Sequence, residues 1–473
     1  MKTLRADMTL LPDGWASDVR VGIDETGRIA FVERPDGPDG ADGCAQGRRG
    51  GPVGASGAEQ RVGILLPAPT NAHSHAFQRA MAGLTERRGP DPTDSFWTWR
   101  RLMYRFLDRL GPDDIESITA FVQMEMLEAG YACSVEFHYL HHQVGGAPYG
   151  HVAELSERIV AAAGTSGIGL TLLPVHYRFG GCDGRALEGG QRRFGTDLDS
   201  FARLWEAAAR TLGNACADSV IGVAPHSLRA VAPQSWPQLQ ALAPDAPFHL
   251  HLAEQVAEVE EVLAAWGARP VDWLLDRADV DARWCLIHCT QMLPRETARL
   301  AATGAVAGLC PITESNLGDG IFDGVAYLGA GGRIAVGSDS NVRISLAEEL
   351  RTLDYSQRLR DRSRAALASA EHSTGRRLYE AVVAGGAQAA GRDAGAIEPG
   401  RWADLVVLDA EHVDLIGRRG DTLLDAFAFT GDRVMVTDVW AAGRHRVVAG
   451  RHVDRETIEQ RYRAVMRTLA HDL

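Results

Sequence analysis

Apolar and polar residues fall into three regimes along this chain. Residues 1 to about 35 alternate in short runs, as in Val19-Arg20-Val21-Gly22-Ile23 and Arg28-Ile29-Ala30-Phe31-Val32. Alternation with period two is the mark of a half-buried strand. Asp13-Gly14 and Thr26-Gly27 supply turns, so a small antiparallel β unit is predicted. Between Pro35 and about Gln60 large apolar side chains almost vanish. Such a stretch cannot bury a core and reads as a mobile surface insertion, residues 35–60. From Arg61 the chain repeats a new unit of apolar strand, polar loop and amphipathic helix.

Eight strand candidates follow: Val62–Leu66, Ala132–Tyr139, Gly167–Val175, Ser219–Ala224, Phe248–Leu252, Trp284–Ile287, Ala305–Leu309 and Arg333–Val336. Helical periodicity separates most of them, at Asp113–Glu128, His151–Ala163, Leu198–Leu212, Glu254–Trp266 and Arg295–Ala302. Eight alternations predict an α/β fold, a (β/α)8 TIM-like barrel, and no G-x-G-x-x-G follows the first strand to suggest an open dinucleotide-binding sheet. Helices Ser345–Leu359 and Arg376–Ala384 come next. Leu405–Asp409, Val434–Ala441 and His445–Val448 then return to strand character. These complete the N-terminal β unit, so the expected layout is a β-sandwich domain from 1–65 and 385–452. The barrel takes 66–384, and a C-terminal helix lies within 453–473.

Composition narrows the function classes. The 473 residues are 45% hydrophobic and 23% charged, as in ordinary globular chains. A net charge of −13, spread along the chain, argues against nucleic acid or an anionic membrane as partner. No run reaches the roughly 18 apolar residues of a membrane helix, and the first residues do not form a signal peptide. The seven cysteines lack C-x-x-C spacing and read as buried free thiols in a reducing cytoplasm. Lys2 is the only lysine among 49 basic residues. Lysine-based Schiff-base, P-loop or metal-bridging chemistry is therefore absent from the interior.

Polar residues gather where the strands end, which is where barrels keep their chemistry. His73 and His75 lie at i and i+2 after the first apolar run, so their side chains share one side of an extended backbone. His251 and Glu254 end the fifth strand, His288 the sixth and Asp339 the eighth. Singly, each has an ordinary reading: a turn aspartate, a core histidine, a helix-start acid. Jointly, imidazoles and a carboxylate around an open position describe a catalytic zinc site, with bound water brought to a pKa of about 7. Glu254, one turn beyond His251, suits a proton shuttle.

With these residues in place, the chain resembles the amidohydrolase superfamily, through His73-Ser74-His75, His251, His288, Ser338-Asp339 and Pro399–Leu405. Within it the likeness is to the formimidoylglutamate deiminase family of histidine degradation. Asn71–Leu84, Ser95–Arg100, Glu136–Tyr139, Pro225–Arg229 and Cys310–Gly320 carry it. The resemblance implies hydrolysis of N-formimidoyl-L-glutamate to N-formyl-L-glutamate and ammonia by a mononuclear metal-bound hydroxide. It implies one Zn²⁺ per subunit on His73, His75, His251 and Asp339, although iron also fits such ligands. Glu254, His288 and Asp339 would move protons, and Gln78, Arg100, Tyr139, His226 and Arg229 would hold a substrate with two carboxylates. A homodimer is also implied. Arginines suit bidentate carboxylate recognition, and carboxylates suit the cationic amidine head. The competing expectations are another mononuclear deaminase, acting on guanine, cytosine or an adenosine derivative, and a catalytically silent barrel that senses an acidic metabolite.

Overall fold

The computed structural model describes residues 1–34, 59–86, 96–213 and 215–470; the side chains of Phe96, Trp97, Thr98, Arg100 and Arg101 lie outside that description. The chain opens with β1 (Lys2–Leu11), β2 (Gly14–Ile23), β3 (Ile29–Glu33) and β4 (Glu59–Pro67). A tight turn joins β1 to β2, pairing Leu11 with Gly14. Most of the stretch expected to form the 35–60 insertion lies outside the described residues; Glu59 and Gln60 already belong to β4.

The barrel strands are β5 (Thr70–Ser74), β6 (Cys133–His138), β7 (Gly169–His176), the broken pair β8 (Val220–Ile221) and β9 (Ala224–Pro225), β10 (Phe248–Leu252), β11 (Trp284–His288), β12 (Val306–Leu309) and β13 (Arg333–Val336). They form two parallel runs, β5-β6-β7-β8 with β9 beside β7, and β10-β11-β12-β13. Bridges Val223–Phe248 and Ser227–His251 join the runs on one side, and Ser74–Asp339 joins them on the other. The sheet is thereby closed, as the eight alternations predict.

One strand assignment changes. Val62–Leu66 is not the first barrel strand: it is part of β4, which runs parallel to β1 and antiparallel to β14 (Leu405–Leu408). Periodicity alone could not separate two buried strands divided only by Ala68 and Pro69. With β15 (Val436–Ala441), β16 (Arg444–Val448) and β17 (Arg451–His452), the end strands form one mixed eight-stranded sheet, ordered β17-β16-β15-β14-β4-β1-β2-β3. The 65/66 and 384/385 boundaries placed from sequence fall inside continuous elements, β4 and the helix Thr374–Ala390.

Helices pack outside the barrel through apolar stripes. Leu198–Leu212 starts at Asp197, whose carboxylate accepts the Ser200 N–H, and buries Phe201, Leu204, Ala207 and Ala208. Each large buried side chain contributes about 1.5–3 kcal/mol. Helix Thr374–Ala390 seals the base of the barrel. A Cβ on Gly385 would lie 2.0 Å from the Ile334 carbonyl oxygen, so glycine alone permits this approach. Its last carbonyls are satisfied by barrel side chains: His249 donates to Ala389 at 2.7 Å and Thr171 to Ala390 at 2.9 Å. The terminal helix Arg455–Ala470 lies on Pro112–Glu128, where the Tyr462 and Phe121 rings stack 3.9 Å apart.

Candidate active site

His73 and His75 leave the end of β5, and His251 leaves β10. Their Nε2 atoms converge, with His73 to His251 at 3.1 Å and His75 to His251 at 3.3 Å. Backbone carbonyls fix two of the tautomers. His75 Nδ1 donates to the Phe137 carbonyl at 2.9 Å, and His251 Nδ1 donates to the His226 carbonyl at 3.0 Å. A carbonyl can only accept, so both protons sit on Nδ1 and both Nε2 lone pairs face the cluster. Asp339 Oδ1 points there too, 3.5 Å from His73 Nε2 and 3.4 Å from His75 Nε2. Converging lone pairs repel one another unless a cation lies among them, and a metal-ligating imidazole commonly gives its other N–H to a backbone carbonyl, as both do here. Burial reinforces this by disfavouring the imidazolium: His75 is brought down to about 3, and His73 and His251 fall well below the ordinary value. Neutral imidazole is the form that ligates metal, so the donor set fits one divalent ion.

The second group surrounds His288. Its Nε2 lies 3.8 Å from Glu254 Oε1 and 3.9 Å from Asp339 Oδ2, while Nδ1 lies 3.2 Å from Glu314 Oε1. Asp339 therefore turns one oxygen to the imidazole cluster and the other to His288. Burial acts against a cationic His288, but Glu254, Glu314 and Asp339 outweigh it and hold the imidazole well above its ordinary value. Burial pushes Asp339 up to about 7, with His288 opposing; a bound cation would favour its ionised form.

The strand ends are shaped to present these groups. Ala253, His288 and Asp339 take left-handed φ of +53°, +73° and +45°, a conformation rare for residues with a Cβ and concentrated at functional sites. A buried polar network fixes the Asp339 turn. Asn71 Nδ2 donates to Ser338 Oγ at 2.7 Å, Ser338 Oγ donates to Asn341 Oδ1 at 2.6 Å, and Asn341 Nδ2 donates to Ser74 Oγ at 3.2 Å. Glu136, pushed up to about 8 by burial, accepts the Ala76 N–H at 2.8 Å and holds the turn after His75.

A pocket with about 570 Å³ of empty space, open solvent included, is lined by members of both groups. Of the residues expected to hold substrate, Gln78, Tyr139, His226 and Arg229 line it together with His75, His251, Glu254, His288 and Asp339. Gln78 Nε2 donates to the Tyr139 hydroxyl at 2.8 Å. Arg229 is 6% exposed. Arg100 belongs to helix Phe96–Leu107, but its side chain lies outside the described residues. Trp99, Met103, Tyr104, Tyr177, Phe194, Leu317 and Ser340 also line the pocket and were not singled out from sequence. Nor were Glu314 and Asp319, although both stand in the Cys310–Gly320 stretch. Their signal was an acid in the polar loop after the seventh strand.

A family model described as the amidohydrolase family matches residues 64–446. The chain belongs to the amidohydrolase family. A model described as the N-terminal domain of the formimidoylglutamate deiminase HutF also matches residues 1–46. Among relatives of this amidohydrolase, the formimidoylglutamate deiminase of Pseudomonas aeruginosa is 47% identical over 96% of this chain and 97% of that protein. The crystal structure of an amidohydrolase from Brucella melitensis is 46% identical and superposes with a TM-score of 0.90, covering 99% of this chain and 100% of that one. An adenosine deaminase from Xanthomonas campestris, crystallised with bound zinc, shares the fold at a TM-score of 0.80 and 21% identity, covering 99% and 98%.

Proposed function

We infer that this amidohydrolase hydrolyses N-formimidoyl-L-glutamate to N-formyl-L-glutamate and ammonia; its Pseudomonas relative is named a formimidoylglutamate deiminase. The observation that carries the reading is one pocket lined both by the imidazoles and carboxylates, His75, His251, Glu254, His288 and Asp339, and by Arg229, His226, Gln78 and Tyr139.

His73, His75, His251 and Asp339 are the inferred metal donors. A divalent cation held there, Zn²⁺ in this reading with iron an equal chemical fit, supplies Lewis acidity and lowers the pKa of water in contact with it. Arg229 pairs with a substrate carboxylate, and Gln78, Tyr139 and His226 orient the chain between that carboxylate and the head. Arg100 is the proposed partner of the second carboxylate. Water oxygen adds to the formimidoyl carbon, and its proton passes to the pair formed by Asp339 Oδ2 and His288 Nε2. Glu254 Oε1 delivers a proton to the terminal nitrogen. The C–N bond to that nitrogen then breaks and ammonia leaves, while the adduct's remaining hydroxyl proton passes back to Glu254 as the formyl C=O forms. The reduced thiols of Cys133, Cys285, Cys289 and Cys310 support a cytoplasmic setting, and a homodimer is the proposed assembly.

Ammonia release from formimidoylglutamate, formimidoylaspartate, guanine and cytosine tests the reading. Turnover of formimidoylglutamate above the others is expected. Preferred turnover of guanine or cytosine would replace it with the nucleobase deaminase reading.

A further inference from the structure

One carboxylate beside Glu254 and His288 has no place in the scheme above. Asp319 follows the short helix Pro311–Leu317 and is 5% exposed. Its backbone is tied at both groups, the N–H to the Glu314 carbonyl at 3.0 Å and the carbonyl to the Gln291 side-chain amide. Oδ1 accepts from the Gln255 amide. Oδ2 is buried and meets no donor among the described residues. The carboxylate lies within 4.8 Å of the ligand atoms of Glu254 and His288, both of which line the pocket.

Burial and the nearby Glu254 push the Asp319 carboxyl up to about 9 and hold its proton there, so this position calls for a cationic N–H donor that arrives with the ligand and ionises it. Resting on the deiminase reading, we propose that Asp319 is a specificity-determining residue whose Oδ2 accepts an N–H from the terminal nitrogen of the formimidoyl group. The substrate head is a cationic amidine with N–H groups to give. The product has lost that nitrogen and its N–H groups, and its carbonyl oxygen comes from the water, so nothing in it donates to Asp319. A site built to receive an N–H discriminates strongly against an analogue lacking it. Asp319 thus favours the cationic head over the formyl product and helps the product leave.

Asp319→Asn tests this, because the side-chain oxygen can keep its bond to Gln255 while Oδ2 becomes a donor. The loss of a charge-assisted bond is expected to raise KM for formimidoylglutamate about 10–100-fold. Inhibition by N-formylglutamate should be unchanged or tighter, with metal content and Tm retained. A parallel weakening of both ligands would assign Asp319 to scaffolding and overturn the proposal, as would an unchanged KM. Wild-type enzyme gives an independent reading should the variant not fold: N-formylglutamate must inhibit with a Ki at least about tenfold above KM, and near-equal values would overturn it. Wild-type enzyme that releases no ammonia from formimidoylglutamate would remove the deiminase reading itself, before Asp319 is altered.

Discussion

Glu314 Oε1 accepts from His288 Nδ1 at 3.2 Å and from the Cys310 backbone N–H at 2.8 Å, so one oxygen ties the end of β11 to the end of β12. That bond aims His288 Nε2 at Glu254 and Asp339. Glu314 acts through His288 and is a positioning residue. Glu314→Ala should lower kcat about 10–100-fold, the range for partners that orient functional imidazoles, with KM changed less. Glu314→Gln can keep both bonds through its own Oε1 and should recover most of the loss. Steady-state ammonia release, with metal content measured alongside, checks this. Equal losses in both variants would show that orientation is not what Glu314 supplies.

Arg229 lines the pocket from the turn after β9. Arg229→Met should raise KM for formimidoylglutamate about 10–100-fold, the loss of a charge-assisted carboxylate contact, while kcat changes less. A fall in kcat at constant KM would instead put Arg229 among the groups that act on the head.

Gly337 stands just before Ser338 and Asp339, where the last barrel strand closes on the first. A Cβ there would lie 2.5 Å from His73 N and 2.7 Å from His73 O. Gly337→Ala must push β13 away from β5, at a cost of about 1–3 kcal/mol. The same displacement separates Asp339 from His73, so bound metal should fall along with Tm. Differential scanning calorimetry and metal analysis of the purified variant would show whether the two losses go together.

Asp218 lies between two arginines, bonded to Arg392 at 2.9 Å and to Arg444 at 2.7 Å, with no side-chain exposure. Arg392 continues to Asp404 at 2.9 Å, pinning the region before β8 to the end sheet. Burial alone would raise the Asp218 carboxyl, but Arg444 and Arg392 together hold it below its ordinary 3.8. A carboxylate lowered on folding stabilises the protein above its unfolded pKa, and that gain is lost as pH falls through the folded value. Asp218→Asn should therefore cost about 3–5 kcal/mol near neutrality. Its Tm deficit should stay level down to about pH 5 and shrink below about pH 4. A deficit that grows on acidification would contradict the assignment.

Much of the barrel was legible because a buried parallel strand and an amphipathic helix write different periods. Leu198–Leu212 was read without a shift in either end. Val62–Leu66 was assigned to the wrong sheet because an apolar run records burial and not the neighbour that buries it. His73, His75, His251, Glu254, His288 and Asp339 could be found as ionisable groups where apolar runs stop. Glu314 and Asp319 could not be given roles that way. Their place depends on a turn that carries them back beside His288, and no spacing in the chain encodes that distance. Arg229 and Gln78 are likewise ordinary residues by spacing; the family resemblance alone names them in sequence, and the pocket they share with the imidazoles brings them together.

In the proposed mechanism a lone divalent ion among His73, His75, His251 and Asp339 makes this chain a formimidoylglutamate deiminase. Chelated enzyme titrated with Zn²⁺, with ammonia release from N-formimidoyl-L-glutamate as the readout, tests it most directly. Activity absent in the metal-free protein, rising linearly and breaking at about one equivalent per chain, is the predicted result. Full activity without metal, or a break near two equivalents, would contradict it.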